Sequence, residues 1–257
     1  MFTAPGNLFK LILPPHIFLL QIILVFVPSF VWGFDYDYET DHMAPIILAQ
    51  QEDFGYFVKF TELVEHTAHC SKRRVSIVTH SMGGLVAAYF LVNKTQEWKN
   101  KYIHNFIAIS TPWLGSPKAI EGFVTGTNFD VKTYKLSIMR ELVGTFQSVA
   151  LLLPAEDAYK ETVLVDWPEQ NKTYTGKDYK QLFTMHVEGD MANPRHVRRS
   201  DVDGDGTVTL ESLNYCKKFP NVTTRVFPGK DHLNIVFSDG VIDYIKSNLV
   251  HAKSVLY

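Results

Sequence analysis

The chain has 257 residues, 46% hydrophobic and 13% aromatic, enough to bury one sizeable core in a single α/β domain. Lys and Arg number 25 against 27 Asp and Glu; the net charge of −2 supplies no basic stripe, which excludes nucleic acid as a partner on electrostatic grounds. Two cysteines, Cys70 and Cys216, are too few for a disulfide scaffold and lack zinc-site spacing, leaving one disulfide or two unpaired thiols.

Residues 1–32 form an apolar leader. Ile17–Val27 (IFLLQIILVFV) is its core, followed by Pro28 and Ser29. That length and flank fit a signal peptide, or, left uncleaved, an anchor over Leu11–Trp32. A buried strand or helix is the alternative reading of the same run.

The remaining residues, 33–257, read as one α/β domain. Within Pro45–His69, Phe54, Phe57, Val58, Phe60, Leu63 and Val64 make a broad helical stripe fit to pack on a sheet. The β-branched run Arg74–Thr79 predicts a fully buried central strand. A helix over Gly84–Val92 and a parallel strand over Ile103–Ser110 complete a strand–helix–strand unit, with Gly83 and Gly84 letting the helix backbone pass close to the strand. Residues of about 120–200 differ. Tyr134–Leu153 is helix-like and ends in the apolar run Val149–Leu153, and beyond Pro154 the chain is polar with few strand signals. This stretch reads as a cap inserted between core strands; a plain surface excursion is the alternative. Thr223–Phe227 is the last strand candidate. Ser238 then caps a helix through about Leu249, with Val241, Ile242, Ile245 and Leu249 on one face.

Thr79-His80-Ser81-Met82-Gly83 stands between the first strand and its helix, a sharp turn that lifts Ser81 toward a bound carbonyl. Thr79 occupies the position that is glycine in G-x-S-x-G. Downstream come Asp205, in Gly204-Asp205-Gly206-Thr207, and then His232; Ser, Asp, His is the chain order of α/β-hydrolases. In that arrangement His232 takes the Ser81 proton, Asp205 orients the imidazole, and the Met82 N–H is one oxyanion donor. Each residue also has an ordinary reading: Ser81 as a helix N-cap, His232 as one of 10 histidines. Asp231, adjacent to His232, competes to orient the imidazole. Asp201-Val202-Asp203-Gly204-Asp205-Gly206 resembles the start of a calcium loop, but the twelfth position is Ser212 and the incoming helix is missing, so no metal is assigned. Asn93, Asn171 and Asn221 head N-x-T sequons and are glycosylation candidates in a secretory compartment.

Several stretches together resemble the lecithin:cholesterol acyltransferase family, which includes lysosomal phospholipases and phospholipid:diacylglycerol acyltransferases. They are Gly33-Phe34-Asp35-Tyr36-Asp37-Tyr38, Thr79–Gly84, Ser110–Ser116, Tyr174–Tyr179, Gly204–Val208 and His232–Phe237, and they span about residues 32–247 in the family's order. The resemblance implies an α/β-hydrolase fold with a mostly parallel sheet flanked by helices. It implies Ser81, Asp205 and His232 as the triad, a lipid ester substrate, an acyl-enzyme and no cofactor. A lipid, membrane or lipoprotein surface is the partner expected with it, and the leader and sequons add the secretory pathway as the expected location: secreted, lysosome- or vacuole-like, or anchored with a lumenal domain.

The sequence departs from the family pattern in three places. The N-terminal strands, with a motif like H-P-[VI]-[VI]-x-[VI]-P-G that supplies the second oxyanion donor, are missing ahead of residue 33. Glu39 stands where a basic residue is expected. The strand before the acid loop, whose cysteine pairs in the family with the one matching Cys216, is replaced by the short polar Glu188–Val202. Two functions are therefore expected: a serine-dependent lipid acyl hydrolase or O-acyltransferase, and, because of the missing donor, a catalytically impaired pseudo-hydrolase that binds lipid or a membrane surface.

Overall fold

The structure is a computed structural model and describes residues 20–21, 54–124, 126, 151–168, 171–178, 181 and 203–250. Its centre is a parallel sheet in the order β1 (Leu20–Gln21), β2 (Val75–His80), β3 (Ile103–Ile109). Every residue of β2 is buried, as its β-branched sequence predicts for a central parallel strand. Leu20 and Gln21, inside the apolar leader, pair with Ile77 and Val78. No helix among the described residues is long and apolar enough to cross a membrane.

Side chains alternate along β2, and each face finds its own cover. Val75 and Ile77 pack with Phe60, Val64 and Ala68 of α1 (Phe54–Ser71) and with Ala87 and Phe90 of α2 (Met82–Val92). Val78 points the other way, onto Val241, Ile245 and Leu249 of α7 (Asp239–Val250). The terminal helix therefore uses three residues of the predicted stripe, with Ile242 half-buried beside them. On α1 the stripe is narrower than predicted, because Val58 lies off the sheet side and is 48% exposed. Between α2 and β3, the short α3 (Gln96–Tyr102) opens on Thr95, whose hydroxyl caps the Trp98 amide.

A second cluster gathers around the excursion after β3. Ile120 and Val124 of α4 (Pro117–Val124) meet Tyr159 of α5 (Glu156–Tyr159) and Leu164. Val165 and Trp167 of β4 (Val165–Trp167) and Tyr174 of β5 (Lys172–Tyr174) complete it. The β4–β5 antiparallel hairpin was not legible in the polar sequence beyond Pro154. Most of the predicted helix over 134–153, and much of the cap reading, lies outside the described residues.

One predicted strand does not form. Residues 222–227 have no regular structure, and Thr223 to Val226 are exposed. Only Phe227 packs, against the α7 cluster and edge-on to Tyr244. A β-branched run becomes a strand only beside a partner edge, and among the described residues this one has none.

Candidate functional site

β2 ends at His80 and α2 begins at Met82, so Ser81 alone makes the turn between them. Its φ of 56° and ψ of −131° put a non-glycine residue at positive φ, a conformation costing about 1–3 kcal/mol. The surroundings hold it there. The Ser81 amide donates to the Ile109 carbonyl at 2.9 Å, and the Gly84 amide donates to the Ser81 carbonyl at 3.0 Å. Gly84 also fixes how close α2 lies to the end of β3: a Cβ there would stand 1.9 Å from Thr111 Oγ1 and 2.6 Å from its Cγ2. Met82 opens the helix, so its N–H is among those with no intrahelical carbonyl to receive it. Thr79, where glycine would be usual, is buried, and its hydroxyl has no hydrogen-bond partner among the described residues.

The acid comes from a tight turn. Asp205 N–H donates to the Val208 carbonyl at 3.1 Å, Leu210 N–H to Asp203 at 2.7 Å, and Gly204 bridges to Thr209 just ahead of α6 (Leu210–Asn214). Gly206 supplies the positive φ of 86° that the reversal needs. No strand among the described residues delivers Asp205. Side chains lash the turn to the segment after β3 instead. Ser212, fully buried, donates to the Gly115 carbonyl at 2.8 Å and accepts from the Leu114 amide at 2.9 Å. The Ser116 hydroxyl donates to the Thr207 carbonyl, and Tyr159 of α5 shares a hydrogen bond with Thr209 Oγ1.

Three residues far apart in sequence meet at this rim. His232 Nε2 is 2.8 Å from Ser81 Oγ, and His232 Nδ1 is 2.7 Å from Asp205 Oδ2. The other carboxylate oxygen, Oδ1, accepts from the Thr207 amide at 3.0 Å and the Val208 amide at 2.7 Å. His232 N–H donates to the Asp205 carbonyl at 2.9 Å, so acid and base are joined twice. Burial works to raise the Asp205 pKa, but the hydrogen bond and charge of His232 and the two amides outweigh it and hold the carboxyl below its ordinary value. With Asp205 ionised, His232 carries its proton on Nδ1 and turns a bare Nε2 toward the serine hydroxyl. An imidazole nitrogen so placed can accept a proton from a neighbouring hydroxyl.

The other residues singled out in the sequence fall elsewhere. Asp231 caps the 3₁₀ turn Asn234–Phe237, its Oδ1 accepting from the Leu233 and Asn234 amides at 3.1 and 2.8 Å, and does not touch the imidazole. The Asp205 oxygens are committed to His232 and two amides, and among the described residues no three His, Cys, Asp or Glu side chains gather to hold a metal. Cys70 and Cys216 are free, the first exposed and the second half-buried. Asn93, Asn171 and Asn221 are all exposed. Asn171 and Asn221 sit at φ of 50° and 58°, while Asn93 donates its side-chain amide to the Tyr89 carbonyl at 2.8 Å.

Sequence reasoning missed His80 and the Ser116, Tyr159 and Ser212 ties. Nothing in a serine or tyrosine at such positions signals its role. His80 did carry a signal: a polar residue ending a buried β-branched strand must find a partner inside.

Residues 30–197, more than half of the chain, match the family described as Lecithin:cholesterol acyltransferase; the matched range contains Ser81 and stops short of Asp205 and His232. A lysosomal phospholipase A and acyltransferase of Canis lupus familiaris is 27% identical over 247 residues, covering 79% of this chain and 60% of that protein. The Bos taurus protein of the same name is 30% identical over 195 residues, covering 70% and 47%. A phosphatidylcholine-sterol acyltransferase of Gallus gallus is 28% identical over 236 residues, covering 74% and 57%. The chain thus spans at most about 60% of the length of these relatives. On this match the chain belongs to the lecithin:cholesterol acyltransferase family.

Proposed function

We propose that the protein is a serine-dependent lipid acyl hydrolase or O-acyltransferase working through an acyl-enzyme, with Ser81 as nucleophile, His232 as base and Asp205 as its orienting acid. The observation that carries this reading is the pair of contacts on one imidazole, 2.8 Å to Ser81 Oγ and 2.7 Å to Asp205 Oδ2. The relatives' names, phospholipase and acyltransferase, support ester-linked lipid as the substrate class.

Ser81 Oγ attacks the ester carbonyl carbon while its proton passes to His232 Nε2. The carbonyl oxygen becomes an oxyanion received by the Met82 N–H. As the carbon–oxygen bond breaks, the imidazolium returns its proton to the leaving alkoxide, freeing an alcohol and leaving Ser81 acylated. Water or a lipid hydroxyl then attacks the acyl carbon, with His232 again taking the proton. Hydrolysis and acyl transfer part only at that second attacker. The atoms balance without a cofactor.

A lipid substrate calls for approach to a membrane or lipoprotein surface. The described part of the 120–200 insertion is suited to shaping that approach. The Ser116 amide donates to the Leu152 carbonyl at 2.7 Å and the Ala155 amide to Leu114 at 2.8 Å, so the insertion is anchored close to the elbow. Three exposed sequons and a relative named lysosomal support the secretory pathway as the location, while Leu20 and Gln21 of the apolar leader, paired with β2, favour its reading as a buried strand. A fluorophosphonate that labels the wild type and not Ser81→Ala is the expected result. Equal labelling of both, or none of either, refutes the reading, and vesicle binding without turnover then supports the pseudo-hydrolase.

A further inference from the structure

We propose that His80, one residue before Ser81, is a positioning residue that fixes the base by gripping the main chain of His232. The inference rests on the function proposed above, but it is carried by a different contact. His80 lies on the β2 face that also turns Val78 toward α7, opposite the α1 and α2 side. Only 3% exposed, it reaches His232, 152 residues away, and its Nε2 is 2.7 Å from the His232 carbonyl oxygen. The two rings stand 4.8 Å apart at 44°.

A carbonyl oxygen only accepts, so His80 Nε2 is the donor and carries the ring's proton. His80 Nδ1 is buried with no hydrogen-bond partner among the described residues. A second proton there would be an unsatisfied buried donor on a charged ring, so the geometry holds His80 neutral. Burial, then the neighbouring charge of His232, lowers its pKa to about 4; the carbonyl and Asp205 oppose that shift without reversing it.

Each part of the base is therefore tied. Asp205 holds the His232 side chain and amide, and His80 holds its carbonyl. Since His80 and Ser81 are consecutive, one strand end sets both the nucleophile and the height at which the imidazole meets it. His80 stays uncharged while His232 cycles, so the only positive charge formed in catalysis is the one facing Asp205.

The test uses the full chain as His80→Gln, whose amide reproduces the Nε2 donor, and His80→Leu, which does not. Fluorophosphonate labelling of Ser81 should slow about tenfold in His80→Leu and recover to within about threefold of wild type in His80→Gln. Nitrogen-15 histidine spectra read the same contact without any turnover. Wild-type His80 should stay in the Nε2–H form down to about pH 5, and the His232 ring signals should shift position in His80→Leu but not in His80→Gln. If wild type and Ser81→Ala label alike, the proposed function fails while the spectra still decide the role of His80. Should His80→Leu not fold, the wild-type tautomer and His80→Gln decide it. An ordinary titration of His80 near neutrality, or a His80→Gln variant as slow as His80→Leu, overturns the inference.

Discussion

Asp205→Asn separates an orienting acid from a structural one. The carboxylate receives three N–H groups: Thr207 and Val208 on Oδ1, His232 on Oδ2. An asparagine has one acceptor oxygen to offer. Two fixed backbone amides outcompete one rotatable ring, so the asparagine oxygen stays with Thr207 and Val208 and its NH₂ faces His232 Nδ1 across 2.7 Å. There it can only donate, which drives the histidine proton onto Nε2, the nitrogen that must be bare to accept from Ser81. The stabilisation of the imidazolium by a negative charge is lost as well. For a triad of this geometry the expected loss in turnover is about 10⁴-fold, with both backbone hydrogen bonds kept and stability changed by about 1 kcal/mol. The assay is steady-state release of p-nitrophenol from a short-chain ester, beside thermal melting. Asp231→Asn is the control; its side chain caps a turn, and it should lose less than about threefold. A variant at residue 205 that keeps more than about a tenth of wild-type turnover, or one that is inactive because it unfolds, would refute the orienting role.

Three further outcomes rest on the packing and charge. Gly84→Ala should destabilise by about 3 kcal/mol, since its methyl meets Thr111 Oγ1 at 1.9 Å; Thr111→Ala in the same chain should recover part of that, and strictly additive melting temperatures would contradict the contact. Ser212→Ala strands the Leu114 amide and the Gly115 carbonyl and should cost about 2–4 kcal/mol by urea unfolding, with turnover falling as the Asp205 turn loosens; a loss below about 0.5 kcal/mol would count against it. His80, with a folded pKa of about 4 against an ordinary 6.5, leaves the unfolded chain binding more protons between those values. Stability should therefore fall as pH drops through that window, by on the order of 3 kcal/mol in all, and His80→Gln should flatten the slope over it.

The sequence carried the strand, the elbow and the terminal helix because each is written in a short local pattern. Val75, Ile77 and Val78 are β-branched or bulky and wholly buried, and Val241, Ile245 and Leu249 repeat at helical spacing on one face. What it did not carry depends on partners distant in the chain. Thr223–Phe227 has strand-forming residues but, among the described residues, no edge beside it. The three-residue strands β4 and β5 are too short for alternation to register, and their burial of Val165, Trp167 and Tyr174 relies on α4 and α5. The pairing of Ser81 with Asp205 and His232 could be expected from their order, yet His80 escaped notice for a plain reason. Neighbours on a strand point to opposite faces, so the residue beside a nucleophile is read as its flank and not as a contact of the base.

The turn that holds Asp205 takes its bearings from residues on its C-terminal side and from the strand unit beside it. Its own hydrogen bonds close between residues 203 and 210, and its outside fastenings run to Leu114, Gly115, Ser116 and Tyr159. The Ser81 amide is fastened to Ile109 at the end of the strand that leads into this same segment, so residues 81 and 205 share one support and a shift of 109–116 carries both together.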